Sequence, residues 1–300
     1  MKLCPDDQQI DMPHGTEESA TPPSRSSPAC RGGWTSTFIG EMEIHIQPPD
    51  RVSTTDHFLD WDGSLDRAMT ALQQMRDLES MHVCFIGPTG CGKTERARRI
   101  ARELKLASYT LQGHPMLTPE DVVLSPVLTS MTGAPRYVAS PILSAFLNHE
   151  GAVAIFDEIG KAAKSAEDAL APLSSALDMR RTIYSSMVQT TFEINPGALF
   201  ISTAQTDEIL PDYITSRMVV IPIEYPPADI LMEIVRAKCP NVPDPIAAAF
   251  RDWISEHPAT SARKGILTMH LAMRLLRRSP SLLPSAKIAM SVIKTAASHV

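Results

Sequence analysis

The chain has 300 residues, 43% hydrophobic and 21% charged, with a formal net charge of −6 at neutral pH. These are ordinary globular values with ample chain for a core, and the negative balance excludes a global electrostatic pull toward nucleic acid or an anionic membrane. Apolar stretches fall far short of a membrane span and no signal-peptide core opens the chain. The five cysteines (Cys4, Cys30, Cys84, Cys91, Cys239) show no C-x-x-C pair, so a cytoplasmic protein is expected.

Residues 1–36 hold many Pro, Ser, Thr and acidic residues without a sustained period, and a disordered tail is expected there. Residues 38–47 alternate Met42, Ile44 and Ile46 against Glu41, Glu43 and His45, which predicts a short edge strand stopped by Pro48 and Pro49. Residues 62–79 predict a helix, with Ser64 as N-cap and Leu65, Ala68, Met69, Leu72 and Met75 along one face.

Next comes an apolar run (Met81, Val83, Cys84, Phe85, Ile86). Gly87, Pro88, Thr89, Gly90, Cys91, Gly92, Lys93 and Thr94 follow in G-x-x-x-x-G-K-[ST] order, then Glu95 and a helical pattern through Arg96, Ala97, Ile100, Ala101 and Leu104. Strand, glycine-rich loop and helix in that order define a phosphate site. The glycines let backbone N–H groups turn inward around a β-phosphate, and the helix N-terminus adds partial positive charge. Lys93 suits neutralisation of β/γ oxygens, and the Thr94 hydroxyl suits Mg²⁺. ATP with Mg²⁺ is the expected ligand.

Further buried strands are predicted at residues 108–112, 152–156, 198–203 and 218–223, mostly separated by helical segments, which argues a parallel sheet covered on both faces. The 152–156 run ends in Asp157 and Glu158, at the sheet edge where ligands of open α/β folds bind. Asp157 is expected to hold Mg²⁺ through its water shell, and Glu158 to deprotonate the attacking water. The adjacent second carboxylate favours hydrolysis over transfer to a bound small molecule.

Two stretches break the alternation. Residues 124–140, with Pro126, Gly133 and Pro135, read as an insertion between two helical pieces, and residues 182–194 as a β-hairpin. From Pro226 onward the pattern is purely helical, over residues 228–238, 245–256, 261–278 and 284–299. The organisation expected is a tail (1–36), an α/β nucleotide-binding domain (37–225) and a small all-α lid (226–300).

With these motifs placed, residues 60–279 resemble the AAA+ ATPases, in particular the MoxR and dynein-related branch. Thr118-Pro119-Glu120-Asp121-Val122 is similar to that branch's Thr-x-Glu-Asp-Leu segment, and residues 137–151 to its Gly-Pro-Leu-x-x-Ala stretch, with Ser140 where glycine is usual. The resemblance implies a three-layer αβα P-loop domain with a helical lid. It also implies a ring homo-oligomer, a hexamer by expectation, whose two insertions face a central pore. A protein client, reached through a von Willebrand factor A-type partner, is implied as well. Residue by residue, Gln205 stands at the sensor-1 asparagine and Thr206 at the following proline. Arg217 matches the arginine finger that reaches a neighbouring subunit's nucleotide, and Arg263 matches sensor 2 on the lid. Two other readings compete with an ATP-driven remodeller: a nucleotide-dependent scaffold that does not hydrolyse, suggested by Gln205, and a P-loop kinase acting on a metabolite.

Other residues carry bland expectations. The nine histidines show no i, i+4 pair, so no metal beyond Mg²⁺ is expected. Cys91, at a helix N-terminus that can lower its pKa, reads mainly as a small residue that fits the loop. Arg96, Arg98, Arg99 and Arg102 read as a solvated face or a subunit contact rather than a nucleic-acid surface.

Overall fold

The computed structural model describes residues 34–39, 42–51, 58–74, 82–127, 136–165, 168–278 and 285–300. In chain order the elements begin with β1 (Thr35–Ile39), β2 (Met42–Ile46), α1 (Ser64–Gln74), β3 (His82–Ile86), α2 (Lys93–Glu103), β4 (Ala107–Gln112) and α3 (Pro119–Val123). They continue with β5 (Leu124–Val127), β6 (Arg136–Ala139), α4 (Pro141–Phe146), β7 (Ala152–Asp157), α5 (Ile159–Ala162), α6 (Leu173–Ala176), β8 (Thr182–Ser185) and β9 (Thr190–Glu193). The remainder is β10 (Leu199–Ala204), α7 (Asp212–Thr215), β11 (Val219–Pro222), α8 (Ala228–Lys238), α9 (Asp244–Glu256), α10 (Ala262–Arg278) and α11 (Ala286–Ser298).

β11, β3, β10, β7 and β4 lie side by side in that order, every pair parallel. The continuous apolar runs are explained by two cores. Along β7, Ala152, Ala154 and Phe156 enter one cluster with α4, while Val153 and Ile155 enter the other with α1 and α2. Successive strand residues point to opposite faces, so a strand covered on both sides has no polar alternation. This is a three-layer αβα fold with a parallel sheet, followed by a small all-α part. Helices α8–α11 enclose a third core around Phe250, Trp253, Met269 and Ile293.

The first strand differs from expectation. Residues 34–46 hold two strands, and β2 is internal: it pairs antiparallel with β1 and parallel with β6. The ladder partner lies in the insertion, about a hundred positions away in sequence, so local alternation shows a strand but not its neighbours. β1 starts at Thr35, inside the stretch expected to be a tail; residues 1–33 lie outside the described residues. The insertion itself is a hairpin of β5 and β6 between α3 and α4, and β8 pairs with β9 as expected for residues 182–194.

Ser64 is not the cap of α1. The N–H groups of Leu65 and Asp66 donate to the Asp60 carboxylate at 3.1 Å, and that of Ser64 to Asp62 at 3.0 Å. A carboxylate placed before the helix outcompetes the hydroxyl for these donors. The predicted continuation of this helix over residues 75–79 lies outside the described residues.

Candidate nucleotide-binding site

The parallel register brings three strand ends abreast. Gln112 is the ladder partner of Asp157, and Thr203 follows Ser202, the partner of Phe156. They face the loop between β3 and α2. Thr94, the second residue of α2, donates from Oγ1 to Asp157 Oδ1 at 2.7 Å, and Thr203 Oγ1 donates to the same oxygen at 2.6 Å.

Glu158 follows with φ 56°, a left-handed conformation that costs a non-glycine residue about 1–3 kcal/mol. Its N–H is held by Thr203 Oγ1 at 2.9 Å. Its Oε2 accepts from Gln112 Nε2 at 2.7 Å and from Lys161 Nζ at 2.6 Å. The Lys161 bond is the main reason the Lys161 ammonium titrates above its ordinary range.

In the loop, Gly90 and Gly92 take φ of +81° and +95°, where a side chain would be strained. A Cβ on Gly90 would also lie 3.0 Å from Ser261 Cβ and 3.3 Å from Arg263 Cβ, so the start of α10 closes directly over the loop. Lys93 is buried, its Nζ donating to the carbonyls of Gly87 at 2.6 Å and Pro88 at 2.8 Å. A cavity of about 670 Å³ opens between the loop, the acidic strand end and α10. Ligand sites commonly span about 300–1,000 Å³.

Thr89, Gly90, Cys91, Gly92, Lys93, Thr94, Glu95, Asp157, Glu158, Gln205 and Arg263 all line this cavity. Gly87 and Pro88 contribute the carbonyls behind Lys93. Gln205 Oε1 accepts from Thr89 Oγ1 at 3.2 Å, joining the end of β10 to the loop. Arg217 is not among the lining residues; it follows α7, and its guanidinium donates to the Tyr213 carbonyl. Thr203, Gln112 and Lys161 escape a reading of the sequence. Their one signal there is position: a polar residue at the end of a buried run, or one turn beyond the paired acids.

One expectation needs correction. Arg96 does not share a solvated face with its neighbours; it is fully buried. The Trp61 and Phe58 rings lie 4.1 and 5.4 Å from its guanidinium carbon, Asp62 pairs with it at 3.1 Å, and it donates to the Cys91 carbonyl at 3.0 Å. An arginine stem and its planar head suit such a stacked, multiply bonded site. The Cys91 thiol is pushed up rather than down, because burial outweighs the lowering influence of Lys93 and Arg96.

Fold and site together define a P-loop nucleotide-binding protein. Residues 82–206 match the AAA domain of the dynein-related subfamily, the branch that the motifs of this stretch resemble. Protein NorQ of Paracoccus denitrificans (strain Pd 1222) is 30% identical over 121 residues, 40% of this chain and 42% of NorQ. The denitrification regulatory protein NirQ of Stutzerimonas stutzeri is 28% identical over 121 residues, with the same shares. The match thus spans less than half the length of these curated relatives. Among solved structures, the RuvB Holliday junction branch migration motor of Thermotoga maritima is similar with a TM-score of 0.56 at 19% identity, over 82% of this chain and 72% of that one. A single-residue variant of it gives 0.58 at 17%, over 82% and 73%. At such identities the likeness is one of fold. Among the described residues no helix is long and apolar enough to cross a membrane.

Proposed function

We propose that the chain binds ATP with Mg²⁺ in this cavity and hydrolyses it, as one subunit of a ring that remodels or activates a protein client. The observation that carries this reading is the convergence of the Thr94 and Thr203 hydroxyls on Asp157 Oδ1, at 2.7 and 2.6 Å, beside Lys93 and Glu158. A hydroxyl and a carboxylate are hard oxygen donors suited to Mg²⁺. Thr94 and Asp157 would hold the ion, which when bound neutralises charge on the β/γ oxygens.

Lys93 exchanges the Gly87 and Pro88 carbonyls for phosphate oxygens. Glu158 leaves its pairing with Lys161 and accepts the proton of the attacking water, while Gln205 orients that water through its amide. Arg217, outside its own subunit's cavity, serves the site of the neighbour, where a cation stabilises charge spread over the transferred group. The lid, residues 226–300, carries Arg263 against the loop, so its position follows the nucleotide. The hairpins β5–β6 and β8–β9 act on the client. NirQ is by name a denitrification regulatory protein, which is compatible with a regulatory role for this chain. We place the chain in the cytoplasm.

Steady-state ATPase and nucleotide binding test the reading. Lys93→Ala should lose ATP binding, and Glu158→Gln should bind ATP but stop turning over. Full turnover by Glu158→Gln would remove Glu158 as the base, and turnover independent of protein concentration down to the monomer would remove the ring.

A further inference from the structure

One carboxylate bears on the site without lining it. Glu208 is 9% exposed, and its Oε2 accepts the Gln205 N–H at 2.8 Å. The Glu208 N–H in turn donates to the Gln205 carbonyl at 3.2 Å. These reciprocal bonds close residues 205–208 into a turn at the point where β10 ends, the Glu208 carboxylate supplying one arm of a capping box and the Gln205 carbonyl the return bond.

The closed turn also has a seat. A Cβ built on Gly160 would fall 2.5 Å from both Cβ and Cδ of Glu208, and closer still to Oε2. Gly160 shows no left-handed φ, so the backbone does not require glycine there; the contact does. The turn carrying Gln205 therefore rests on bare backbone of the turn carrying Glu158. A glutamine has one more rotatable bond than an asparagine, and an extra bond needs an anchored backbone if its amide is to hold one place.

We propose that Glu208 is a positioning residue for Gln205, and that Gly160 is the gap that admits it. Through these two residues the spacing between the Gln205 amide and Glu158 is fixed before nucleotide arrives. This rests on the ATP-hydrolysis reading above and adds two residues to it.

The test uses the full chain. ATPase kinetics, ATP affinity and hydrogen exchange at the Gln205 amide are measured for Glu208→Ala, Glu208→Gln and Gly160→Ala, with Glu208→Ala repeated in a Gln205→Ala background. Expected for Glu208→Ala and Gly160→Ala is a kcat lower by about ten- to a hundred-fold, with KM within about two-fold and faster exchange at Gln205. Glu208→Gln, whose amide oxygen can accept the same N–H, should keep most of the activity. Once Gln205 is alanine, removing Glu208 should cost nothing further in kcat.

An undiminished loss in the Gln205→Ala background would overturn the proposal, as would unchanged kcat and exchange in Glu208→Ala. If wild-type chain binds ATP without turnover, the hydrolysis reading fails by itself. Exchange then still decides: faster at Gln205 in Glu208→Ala supports positioning, and equal exchange refutes it. If Glu208→Ala does not fold, Gly160→Ala takes its place in the same measurements, where slower turnover with faster exchange supports positioning and no change in either refutes it.

Discussion

Lys161 and Glu158 form an ion pair of 2.6 Å at the rim of the cavity, on the carboxylate oxygen that also accepts from Gln112. The side chains are 37% and 29% exposed, so water screens the pair and it is weak. An ammonium and an amide on the same oxygen hold the carboxylate in this orientation, and freeing it lets it turn toward an attacking water. Lys161→Met should therefore raise kcat, and a pair of this exposure limits the rise to about five-fold. Stopped-time ATPase at saturating ATP checks it; a fall in kcat at constant KM would make Lys161 a helper rather than a restraint.

Thr203 joins the two acids, donating to Asp157 and accepting from the Glu158 N–H. Thr203→Val keeps the volume and removes the hydroxyl, leaving the carboxylate one donor short and the N–H without its acceptor. A hydrogen bond to a charged group is worth about 1.5–3 kcal/mol, so kcat should fall about ten- to a hundred-fold. ATP affinity should stay within about three-fold, since the loop and Lys93 are untouched. Equilibrium binding of a fluorescent ATP analogue beside the kinetic assay separates the two, and an affinity loss as large as the kcat loss would count against this division of labour.

How far these residues can be read in the sequence follows from how local their causes are. The loop and the paired acids are legible because each motif sits in its own strand–turn–helix or strand–turn context. The parallel sheet follows from apolar runs alternating with helical periods. Thr203, Gln112 and Lys161 stay hidden because their roles depend on strand order, with β4 beside β7 beside β10, and periodicity carries no strand order. Arg96 is hidden for a related reason. Its partners Asp60, Asp62, Ser64 and Trp61 precede it by more than thirty positions, and α2 on its own reads as a polar helix. β2 reads as an edge because its β6 partner lies within the insertion, far away in sequence.

Cys91 offers a test of the loop's chemistry. Burial raises its thiol pKa, and Cys84 on β3 is pushed up to about 11. The sign is plain: a higher pKa leaves less reactive thiolate at mildly alkaline pH, and burial limits access as well. Iodoacetamide should label both peptides of the folded chain at least about ten-fold more slowly than those of the unfolded chain, read by mass spectrometry over time. Equal rates at Cys91 would mean an accessible, reactive thiolate in the phosphate loop.

Arg96 and Asp62 should govern stability rather than turnover. Removing one partner of a buried pair costs about 3–5 kcal/mol, so Arg96→Ala should lower the denaturation midpoint sharply, and Asp62→Asn should do so by less because Asp62 is partly exposed. Burial pushes the Asp62 carboxyl up, but hydrogen bonds from Ser64 and the Arg96 charge outweigh it, and the net shift is downward from 3.8. A folded-state pKa below the unfolded value stabilises above the unfolded value, and the contribution is lost as pH falls through the folded one. The stability gap between wild type and Asp62→Asn should hold from neutral pH down to about pH 5 and narrow below 3.8. Urea titrations across that range measure it; a gap that widens in acid would mean the carboxylate is not the stabilising form.

The shared-site part of the proposal is open to subunit mixing. Arg217 does not line the cavity of its own chain, whereas Lys93 does. In a head-to-tail ring each interface would join one chain's Lys93 to the next chain's Arg217. Lys93→Ala should be inactive for want of bound nucleotide. Arg217→Ala should bind ATP yet turn over about a thousand-fold or more slowly, the usual effect of losing such an arginine. Mixed one to one and allowed to exchange, the two inactive proteins should regain roughly a quarter of the wild-type rate, because in a random heterologous ring one interface in four pairs an intact lysine with an intact arginine. An arginine acting on its own chain's nucleotide would regain nothing, since no chain in the mixture carries both residues. Titrating the mixing ratio sharpens the contrast: shared sites give a rate that peaks near equal amounts, and independent chains give a flat line near zero.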